Sequence, residues 1–351
     1  MVMWDESDTT NYEVLKSESV DGPYEVIGNS DNGSYLDSDA SWPTNEYYKI
    51  RGAISDDNSV STSNPVQAGT NEQHVTKVPI LLYHNFVSEE DQENGVVFDE
   101  YSITPAEFEQ DLQYLNDNGY STITSEDLLA YIYDHEPLPE QPILLSIDDG
   151  TWGVYKHAWP LLKKFEMKAD FNVVGSNIDA SWNLVHNGGS REGESAPYCE
   201  WDELKEMVSS GEIYLCSHTY GLHSYHSDGR IGASMIEGED ISDYIDVIKR
   251  DYELSASCIE GWTGNALITM AYPYSERSQD TDSIILANTG YEFLMGGTTA
   301  RGTRANYFVD GASHDSQLRI MSRTSRMTGT PIEDYLEAID AHDVLEDDKQ
   351  S

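Results

Sequence analysis

Two adjacent carboxylates, Asp148 and Asp149, follow directly on an apolar run, Pro142-Ile143-Leu144-Leu145. About seventy residues later a second apolar run ends in His218, and His223 follows it closely. One carboxylate and two imidazoles form a ligand set that suits zinc and leaves a coordination position open for water. The other carboxylate is then available as a base toward that water. The spacing therefore indicates a metal-dependent hydrolase.

The same residues have a plainer interpretation. Asp149-Gly150 is a common turn pair, and histidines that follow a strand are often ordinary surface residues. For either motif alone the two interpretations are about equally good. The coincidence of both motifs at the ends of apolar runs favours the metal site.

The composition narrows the function classes. The 351 residues carry 64 acidic and 20 basic side chains, a formal net charge of −44. Such a chain repels phosphate backbones and anionic membrane surfaces, so we expect no nucleic-acid or membrane partner. The acidic residues are interspersed with apolar and aromatic ones, which predicts a folded protein with a solvated acidic surface. That surface is expected of a secreted or salt-adapted protein, with attraction of a cationic polymer as the functional alternative.

Neither the cysteine content nor the first residues of the sequence indicate the compartment of the protein. Cys199, Cys216 and Cys258 cannot all pair within one chain and form no CxxC motif, so the redox compartment stays open. No run approaches the ~18 apolar residues of a membrane span. The start, Met1-Val2-Met3-Trp4, has no charged n-region and no h-region, so we expect no signal peptide in this sequence. Nothing in the sequence indicates an oligomeric state.

Residues 1–70 are predicted to form short strands separated by turns such as Asp21-Gly22-Pro23. Tyr48, Ile50, Gly52 and Ile54 alternate with polar residues, the period of a half-buried strand. Regular short strands predict a small all-β sandwich.

This part resembles a fibronectin type III module without its first strand, and we expect a spacer role because fold alone does not confer function. The resemblance rests on these segments: Trp4, Asn11-Tyr12-Glu13-Val14, Asp21-Gly22-Pro23-Tyr24 and Tyr47-Tyr48-Lys49-Ile50-Arg51.

A polar stretch leads into a second domain. We predict a linker at 71–77, a catalytic domain at 78–345 and a polar tail at 346–351. Within 78–345, apolar strands alternate with amphipathic helices over about 260 residues, which predicts an α/β domain with a parallel sheet closed as a barrel. Chemistry in such barrels sits at the carboxyl ends of the strands. The motifs at Asp148 and His218, and a third at Tyr272-Pro273-Tyr274, should therefore meet on one rim.

These ordered motifs resemble those of the NodB-type polysaccharide deacetylases, carbohydrate esterase family four, from about Pro79 to Ile339. The likeness looks closest to the exported deacetylases of poly-β-1,6-N-acetylglucosamine. It implies a distorted (β/α) barrel and an extracellular or cell-surface location. Five segments carry it: Val78-Pro79-Ile80-Leu81-Leu82-Tyr83-His84, Ser146-Ile147-Asp148-Asp149-Gly150, Trp201-Asp202-Glu203-Leu204-Lys205-Glu206-Met207, Ser217-His218-Thr219-Tyr220-Gly221-Leu222-His223 and Ala271-Tyr272-Pro273-Tyr274.

The resemblance implies an enzyme that removes N-acetyl groups from an extracellular polysaccharide containing N-acetylglucosamine. Asp149, His218 and His223 would bind the metal, and Asp148 would be the general base. The backbone N–H of Tyr274 would complete an oxyanion hole. The expected metal is Zn²⁺, with Co²⁺, Ni²⁺ and Mn²⁺ as alternatives.

A few rim residues are candidates for substrate contact. An aromatic ring can form the floor of a sugar site, and a histidine that ends the first barrel strand can reach the substrate. Either type of residue as often only packs against or hydrogen-bonds to its neighbours. The candidates are His84, Trp152, Tyr220 and Tyr272, together with the ring of Tyr274.

Two departures from the family's pattern concern the metal and the base. The family's histidine pair is usually four residues apart, whereas His218 and His223 are five apart, so His226 is an alternative metal ligand. Ala271 stands where many members carry an arginine that orients the base. The sequence therefore leaves open which residue orients Asp148 and adjusts its pKa.

The late strand Leu318-Arg319-Ile320-Met321-Ser322-Arg323 lacks the Leu-x-His that provides the catalytic acid in many relatives. His314 lies nearby, and the acid is left unassigned. Two alternative functions stay open: an O-acetyl esterase acting on xylan-type glycans, and a catalytically degenerate glycan-binding protein.

Overall fold

A computed structural model gives the fold of the chain. It describes residues 2–3, 12–30, 34–35, 46–53, 60–63, 66–67, 75–227, 229–277, 279–296, 305–309 and 318–348, the side chains being described up to residue 340. Several sequence features lie outside the described residues: Met1, Trp4, Asn11, Ile54, His314, most of the predicted linker and the last residues of the tail.

The N-terminal part consists of antiparallel strands. One sheet has the order β3-β2-β5-β6 with β7 also paired to β5, and β1 pairs with β4. Tyr12, Val14, Leu15 and Tyr48 are its buried apolar residues. This arrangement agrees with the all-β prediction, while the resemblance to fibronectin type III stays a prediction. The strands are β1 Val2–Met3, β2 Tyr12–Ser17, β3 Glu25–Ser30, β4 Ser34–Tyr35, β5 Tyr47–Ala53, β6 Val60–Thr62 and β7 Val66–Gln67.

Strands and helices alternate in the rest of the described chain. The strands are β8 Val75–Val78, β9 Ile80–Tyr83, β10 Asn85–Phe86, β11 Ser102–Ile103, β12 Ser121–Ile123, β13 Pro142–Ile147, β14 Ala169–Val173, β15 Ile213–Ser217, β16 Thr269–Ala271, β17 Phe293–Met295, β18 Asn306–Val309, β19 Ile320–Met321 and β20 Thr324–Ser325. The predicted linker therefore ends earlier than expected, because β8 begins at Val75 and pairs antiparallel with β18.

The helices are α1 Glu89–Glu93, α2 Pro105–Asp117, α3 Ser125–Tyr133, α4 Trp159–Phe165, α5 Gly175–His186, α6 Trp201–Ser210, α7 Ile241–Thr263, α8 Gln279–Asn288 and α9 Ile332–Asp348. A π-helical turn, Val154–Ala158, precedes α4, and a 3₁₀ turn, Pro273–Ser275, follows β16. Capping boxes begin several helices: Thr104 accepts from the N–H of Glu107 at the start of α2, and Glu107 accepts from the N–H of Thr104 in return.

The larger sheet is parallel and curled. Its order is β19-β17-β16-β15-β14-β13-β9-β20, and β12 also pairs with β13. The segment 320–325 pairs with β17 through β19 and with β9 through β20, so it contacts both ends of the sheet. The parallel strands thus form a curled half-barrel, which confirms the predicted parallel α/β arrangement.

The apolar runs of the sequence are strands buried on both faces. Every residue of β13 and of β15 is buried, as expected for parallel strands covered on both sides. Within β13, Ile143 and Leu145 belong to one buried apolar cluster, whereas Leu144 belongs to a second one with Ile80 of β9 and Cys216 of β15. The side-chain period of two therefore divides each strand between the two faces. No helix in the described part of the chain combines the length and hydropathy that a membrane crossing requires.

We expect salt to stabilise this fold. A net charge of −44 repels itself in the compact state. The Debye length falls from about 10 Å at 0.1 M to about 3 Å at 1 M salt, so screening removes much of that repulsion. Calorimetry should show the melting temperature rising between 0.1 M and 1 M NaCl, with KCl giving a similar rise. A melting temperature that stays constant or falls would contradict this expectation.

Candidate metal centre

Side chains alternate between the two faces of a strand, and this alternation separates the two adjacent carboxylates. Leu144, Ser146 and Asp148 lie on one face of β13, and Asp148 continues that phase just past the strand end, where it is 2% exposed. Asp149 adopts a left-handed backbone conformation, with φ of 77°, and begins the turn. Two neighbours in sequence therefore enter different surroundings, one buried and one at the edge of the site.

Asp149, His218 and His223 form a candidate metal centre. One carboxylate oxygen and two ring nitrogens from these residues lie within 4.8 Å of one another. Oδ1 of Asp149 lies 3.3 Å from Nε2 of His223 and 3.5 Å from Nε2 of His218. These three residues are the ligand set predicted from the sequence, and the structure brings them together.

The loop between the two histidines explains how a spacing of five residues is accommodated. Thr219, directly after His218, has a φ of 70°, which turns the chain away from β15. The backbone N–H groups of Tyr220 and Gly221 then donate to the carboxylate of Asp251 on α7, each at 2.9 Å. This anchor holds the loop in the position that returns His223 to Asp149.

The donor chemistry of the cluster fits a divalent cation. Nδ1 of His218 lies 2.9 Å from the carbonyl oxygen of Ala271, so Nδ1 carries the proton and Nε2 turns its lone pair toward Asp149. Burial holds the pKa of His218 below its usual value, although Asp148 and Asp149 act in the opposite sense. The imidazole is therefore neutral near pH 7, the form in which histidine binds metals.

His223 and Asp149 influence each other. Burial alone would lower the pKa of His223, but its hydrogen bond and proximity to the Asp149 carboxylate raise it. Burial would raise the pKa of Asp149, and His223 and the neighbouring imidazoles lower it. A cation bound here would replace the proton that Asp149 and His223 otherwise share.

Asp148 is held by a buried arginine that the sequence analysis did not assign. Arg323 donates from Nη1 to Oδ1 at 2.6 Å and from Nη2 to Oδ2 at 2.9 Å, a bidentate pair. Nδ2 of Asn172 adds a third hydrogen bond to Oδ1 at 2.7 Å. Burial would raise the pKa of the Asp148 carboxyl, but the charges of Arg323 and His218 hold it well below its usual range. Asp148 is therefore ionised at neutral pH.

Arg323 contacts Asp148 from a different part of the sequence than Ala271, where the motif pattern has an arginine. Its side chain is 1% exposed, and it also donates to Ser146 Oγ at 3.0 Å and to the carbonyl oxygen of Gly296 at 2.7 Å. The signal in the sequence was an arginine directly after a late apolar strand. Only a histidine was expected from that strand, so the contact of Arg323 with Asp148 was not predicted.

His84 lies beside this centre. It follows β9, the neighbour of β13, and its charge contributes to lowering the pKa of both Asp148 and Asp149. The ring of Tyr101 packs against it with 5.0 Å between centroids. His84 is therefore close to both carboxylates on the rim, as its position at a strand end predicted.

Among the other candidates for substrate contact, Tyr272 is placed against the prediction, whereas the predictions for Tyr220 and Trp152 stay open. Tyr272 is 1% exposed and donates to Asp282 at 2.7 Å, so its ring is part of the core and cannot line a substrate surface. Tyr220 is half-buried and its hydroxyl donates to Asp179 at 2.7 Å. Trp152 is half-buried between the cations of Arg191 and Lys156.

His226 and Tyr274 complete the set of predicted residues. Nε2 of His226 lies 3.0 Å from Ser224 Oγ and 3.4 Å from the Leu222 carbonyl oxygen, and His226 is not part of the cluster around Asp149. Tyr274 has a left-handed backbone with φ of 58°, and its hydroxyl lies 3.4 Å from Nδ1 of His223. Tyr274 is thus close to the metal centre, and His226 points back into its own loop.

A second group of potential ligands, His186, Glu200 and Asp202, has a structural explanation. His186 ends α5 and Asp202 lies in the first turn of α6, positions at which such charges complement helix dipoles. Glu200 is the N-cap of α6 and accepts from the N–H of Asp202.

Parts of the chain are similar to known proteins. Residues 135–294 match the family model described as polysaccharide deacetylase. The chain is 29% identical over 143 residues, 41% of its length, to the YxkH protein of Bacillus subtilis. It is 25% identical over 122 residues, 35% of its length, to the poly-β-1,6-N-acetyl-D-glucosamine N-deacetylase of Escherichia coli. These matches span 42% and 18% of the two relatives.

A solved structure of similar fold is that of IcaB from Ammonifex degensii, with a TM-score of 0.53 and 24% identity over 72% of this chain and 92% of that one. At this identity the likeness shows the fold. The family match and the curated relatives carry the assignment further. The chain therefore contains a NodB-type polysaccharide deacetylase domain, homologous to the poly-β-1,6-N-acetyl-D-glucosamine N-deacetylases.

Proposed function

We propose that this chain is a metal-dependent hydrolase that removes N-acetyl groups from an extracellular polysaccharide containing N-acetylglucosamine. The observation that carries the proposal is the pairing of the Asp149, His218 and His223 cluster with a second, buried and ionised carboxylate, Asp148. The name of the Escherichia coli relative supports the substrate class. We place the protein outside the cell or at its surface, where such a polymer is accessible.

The proposed metal is Zn²⁺, because two imidazoles and one carboxylate with an open position form a common catalytic zinc site. Co²⁺, Ni²⁺ and Mn²⁺ fit the same donors. When bound, the metal supplies Lewis-acid polarisation of the amide carbonyl and makes water more acidic. Asp149, His218 and His223 hold it, and the Ala271 carbonyl keeps His218 in the correct tautomer.

Asp148 is the proposed general base. Its carboxylate lies beside the cluster, with Oδ2 at 3.7 Å from Nε2 of His218, and can accept the proton that the attacking water loses. Arg323 and Asn172 fix its orientation through three hydrogen bonds. The backbone N–H of Tyr274 is the proposed donor to the carbonyl oxygen as negative charge develops there.

The amine leaves with a proton when the carbon–nitrogen bond breaks, so the reaction also needs an acid. His84 is the proposed donor because it directly follows β9, the strand paired with β13, and interacts electrostatically with both carboxylates. The late strand that provides a histidine in many relatives here provides Arg323 instead. Residues 1–70 are proposed to be a separate spacer module, which the antiparallel sheet around β2 supports.

Acetate release tests the proposed function. We expect release from β-1,6-linked N-acetylglucosamine oligomers, loss of that release with a chelator and recovery on addition of Zn²⁺. Asp148→Asn should lower turnover by roughly 10²-fold or more while the metal stays bound, because the amide cannot accept the proton. Release from acetylated xylan alone would indicate the O-acetyl esterase. Absence of release from these substrates and from chitooligosaccharides would overturn the enzyme assignment.

Metal content separates the two candidate third ligands. His223→Ala should lose bound Zn²⁺, because one of three protein ligands is removed, whereas His226→Ala should keep it, because that ring faces Ser224 and Leu222. Inductively coupled plasma mass spectrometry of the purified variants gives the ratio of metal to protein directly. The reverse pattern would move the third ligand to His226.

Arg323→Gln should impair the base without removing the metal. Loss of the guanidinium raises the pKa of Asp148, so the acid limb of the kcat/KM profile should move to higher pH and activity should be lost earlier as the pH falls. Removing one partner of a buried pair also costs about 3–5 kcal/mol of stability, so unfolding must be measured in parallel.

The chain offers a matched control for that experiment. Arg326 forms an equally buried pair with Asp111, at 2.8 Å and 3.0 Å, three residues along. Arg326→Gln should destabilise the fold comparably and leave the position of the acid limb unchanged. If both variants shift the limb equally, Arg323 acts only through stability.

A further inference from the structure

Aromatic rings lead outward from the metal centre to the surface. The rings of His218, His223, Tyr274 and Tyr225 follow one another with centroid separations of 4.8 Å, 4.7 Å and 4.8 Å. His218 is 2% exposed, Tyr274 is 40% exposed and Tyr225 is 71% exposed. The outer pair of tyrosines therefore presents aromatic surface to solvent in direct continuity with two candidate metal ligands.

The loop that carries Tyr225 is held in place on the protein. Tyr225 forms an antiparallel bridge with Ile231, and the N–H of Gly232 donates to the carbonyl oxygen of Ser224 at 3.1 Å. A Cβ at Gly232 would lie 2.9 Å from the carbonyl oxygen of Pro273, so only glycine allows the loop to pack this closely on the turn that carries Tyr274. The two rings are thus positioned by the fold.

A third exposed tyrosine lies on the other flank of the centre. Tyr101 is 47% exposed, and its ring packs against that of His84. Along the sheet, β9 precedes the strand of Asp149, whereas β16, which leads to Tyr274, follows the strand of His218. The candidate metal ligands are therefore bracketed along the rim by Tyr101 on one side and by the Tyr274–Tyr225 pair on the other.

We propose that Tyr225 and Tyr274 form a stacking surface for the sugar ring next to the one that loses its acetyl group, with Tyr101 as a second such surface. A pyranose has an apolar C–H face that suits an aromatic ring, and its hydroxyls stay in water at an open rim. The site then selects oligosaccharides over monosaccharides, because only a chain reaches a ring outside the metal centre. This inference rests on the proposed function and specifies the form of its substrate.

Tyr225→Ala tests the proposal, with Tyr225→Phe as the variant that keeps the ring. Tyr225→Ala should raise the KM for a β-1,6-linked N-acetylglucosamine tetramer by about threefold to tenfold with little change in kcat, and Tyr225→Phe should stay close to wild type. Hydrolysis of a small aryl acetate should be unchanged in both variants. Tyr133→Ala is the matched control, since that tyrosine is also 48% exposed but its hydroxyl contacts Glu292 at the opposite ends of the strands.

Binding of the tetramer to Asp148→Asn, measured by calorimetry with and without Tyr225→Ala, separates this inference from the proposed function. Weaker binding with Tyr225→Ala supports the stacking surface even if no acetate is released by the wild type. Equal tetramer affinity and equal KM in Tyr225→Ala and wild type would overturn it. Reduced hydrolysis of the aryl acetate as well as of the tetramer would also overturn it, because the variant would then disturb the metal centre.

Discussion

A buried carboxylate needs a compensating charge, and the site depends on how this chain provides it. Asp148 is almost fully inaccessible and would be protonated or unstable there without Arg323. The guanidinium reaches it from the segment 320–325, which pairs with β17 on one side and β9 on the other. The contact that keeps Asp148 ionised is therefore made only when both ends of the parallel sheet are joined through this segment. The group that keeps Asp148 ionised is thus positioned by the same segment that links the two ends of the sheet.

Asp148 and the three candidate metal ligands divide into two pairs. One pair lies at the ends of buried strands, and the other lies on turns or loops. Asp148 and His218 continue the phase of buried strands and are nearly inaccessible. Asp149 has a left-handed backbone at the start of a turn, His223 follows the loop that begins at the left-handed Thr219, and each is partly exposed. The buried members are positioned by the sheet, and the exposed members leave one side of the cluster open to solvent. One side of the cluster is thus fixed by the sheet and the other is accessible to solvent.

The sequence was sufficient for the strand-end residues because an apolar run followed by polar side chains locates the rim directly. Arg323 could not be placed in this way, since its contact with Asp148 joins residues 175 positions apart and depends on how the sheet curls. The burial of Tyr272 depends on the face of the sheet that it takes: Ala271 belongs to one buried apolar cluster, and alternation puts Tyr272 into the other, which contains many helix residues. The exposure of Tyr225 and Tyr101 was not accessible, because loop residues carry no such period.

The groups proposed for catalysis and the groups proposed for substrate contact lie in different parts of this fold. The groups proposed to move protons and hold the cation are set by strand register, which tolerates little change because a slip of one residue reverses every side chain. The exposed tyrosines lie outside the strands: Tyr101 is in a turn, and Tyr225 is on a loop that packs at Gly232 against the 3₁₀ turn at Pro273. Those loops can vary while the strand ends stay unchanged. Low identity to a protein of similar fold is then expected, because the loops differ more readily than the strands that carry them.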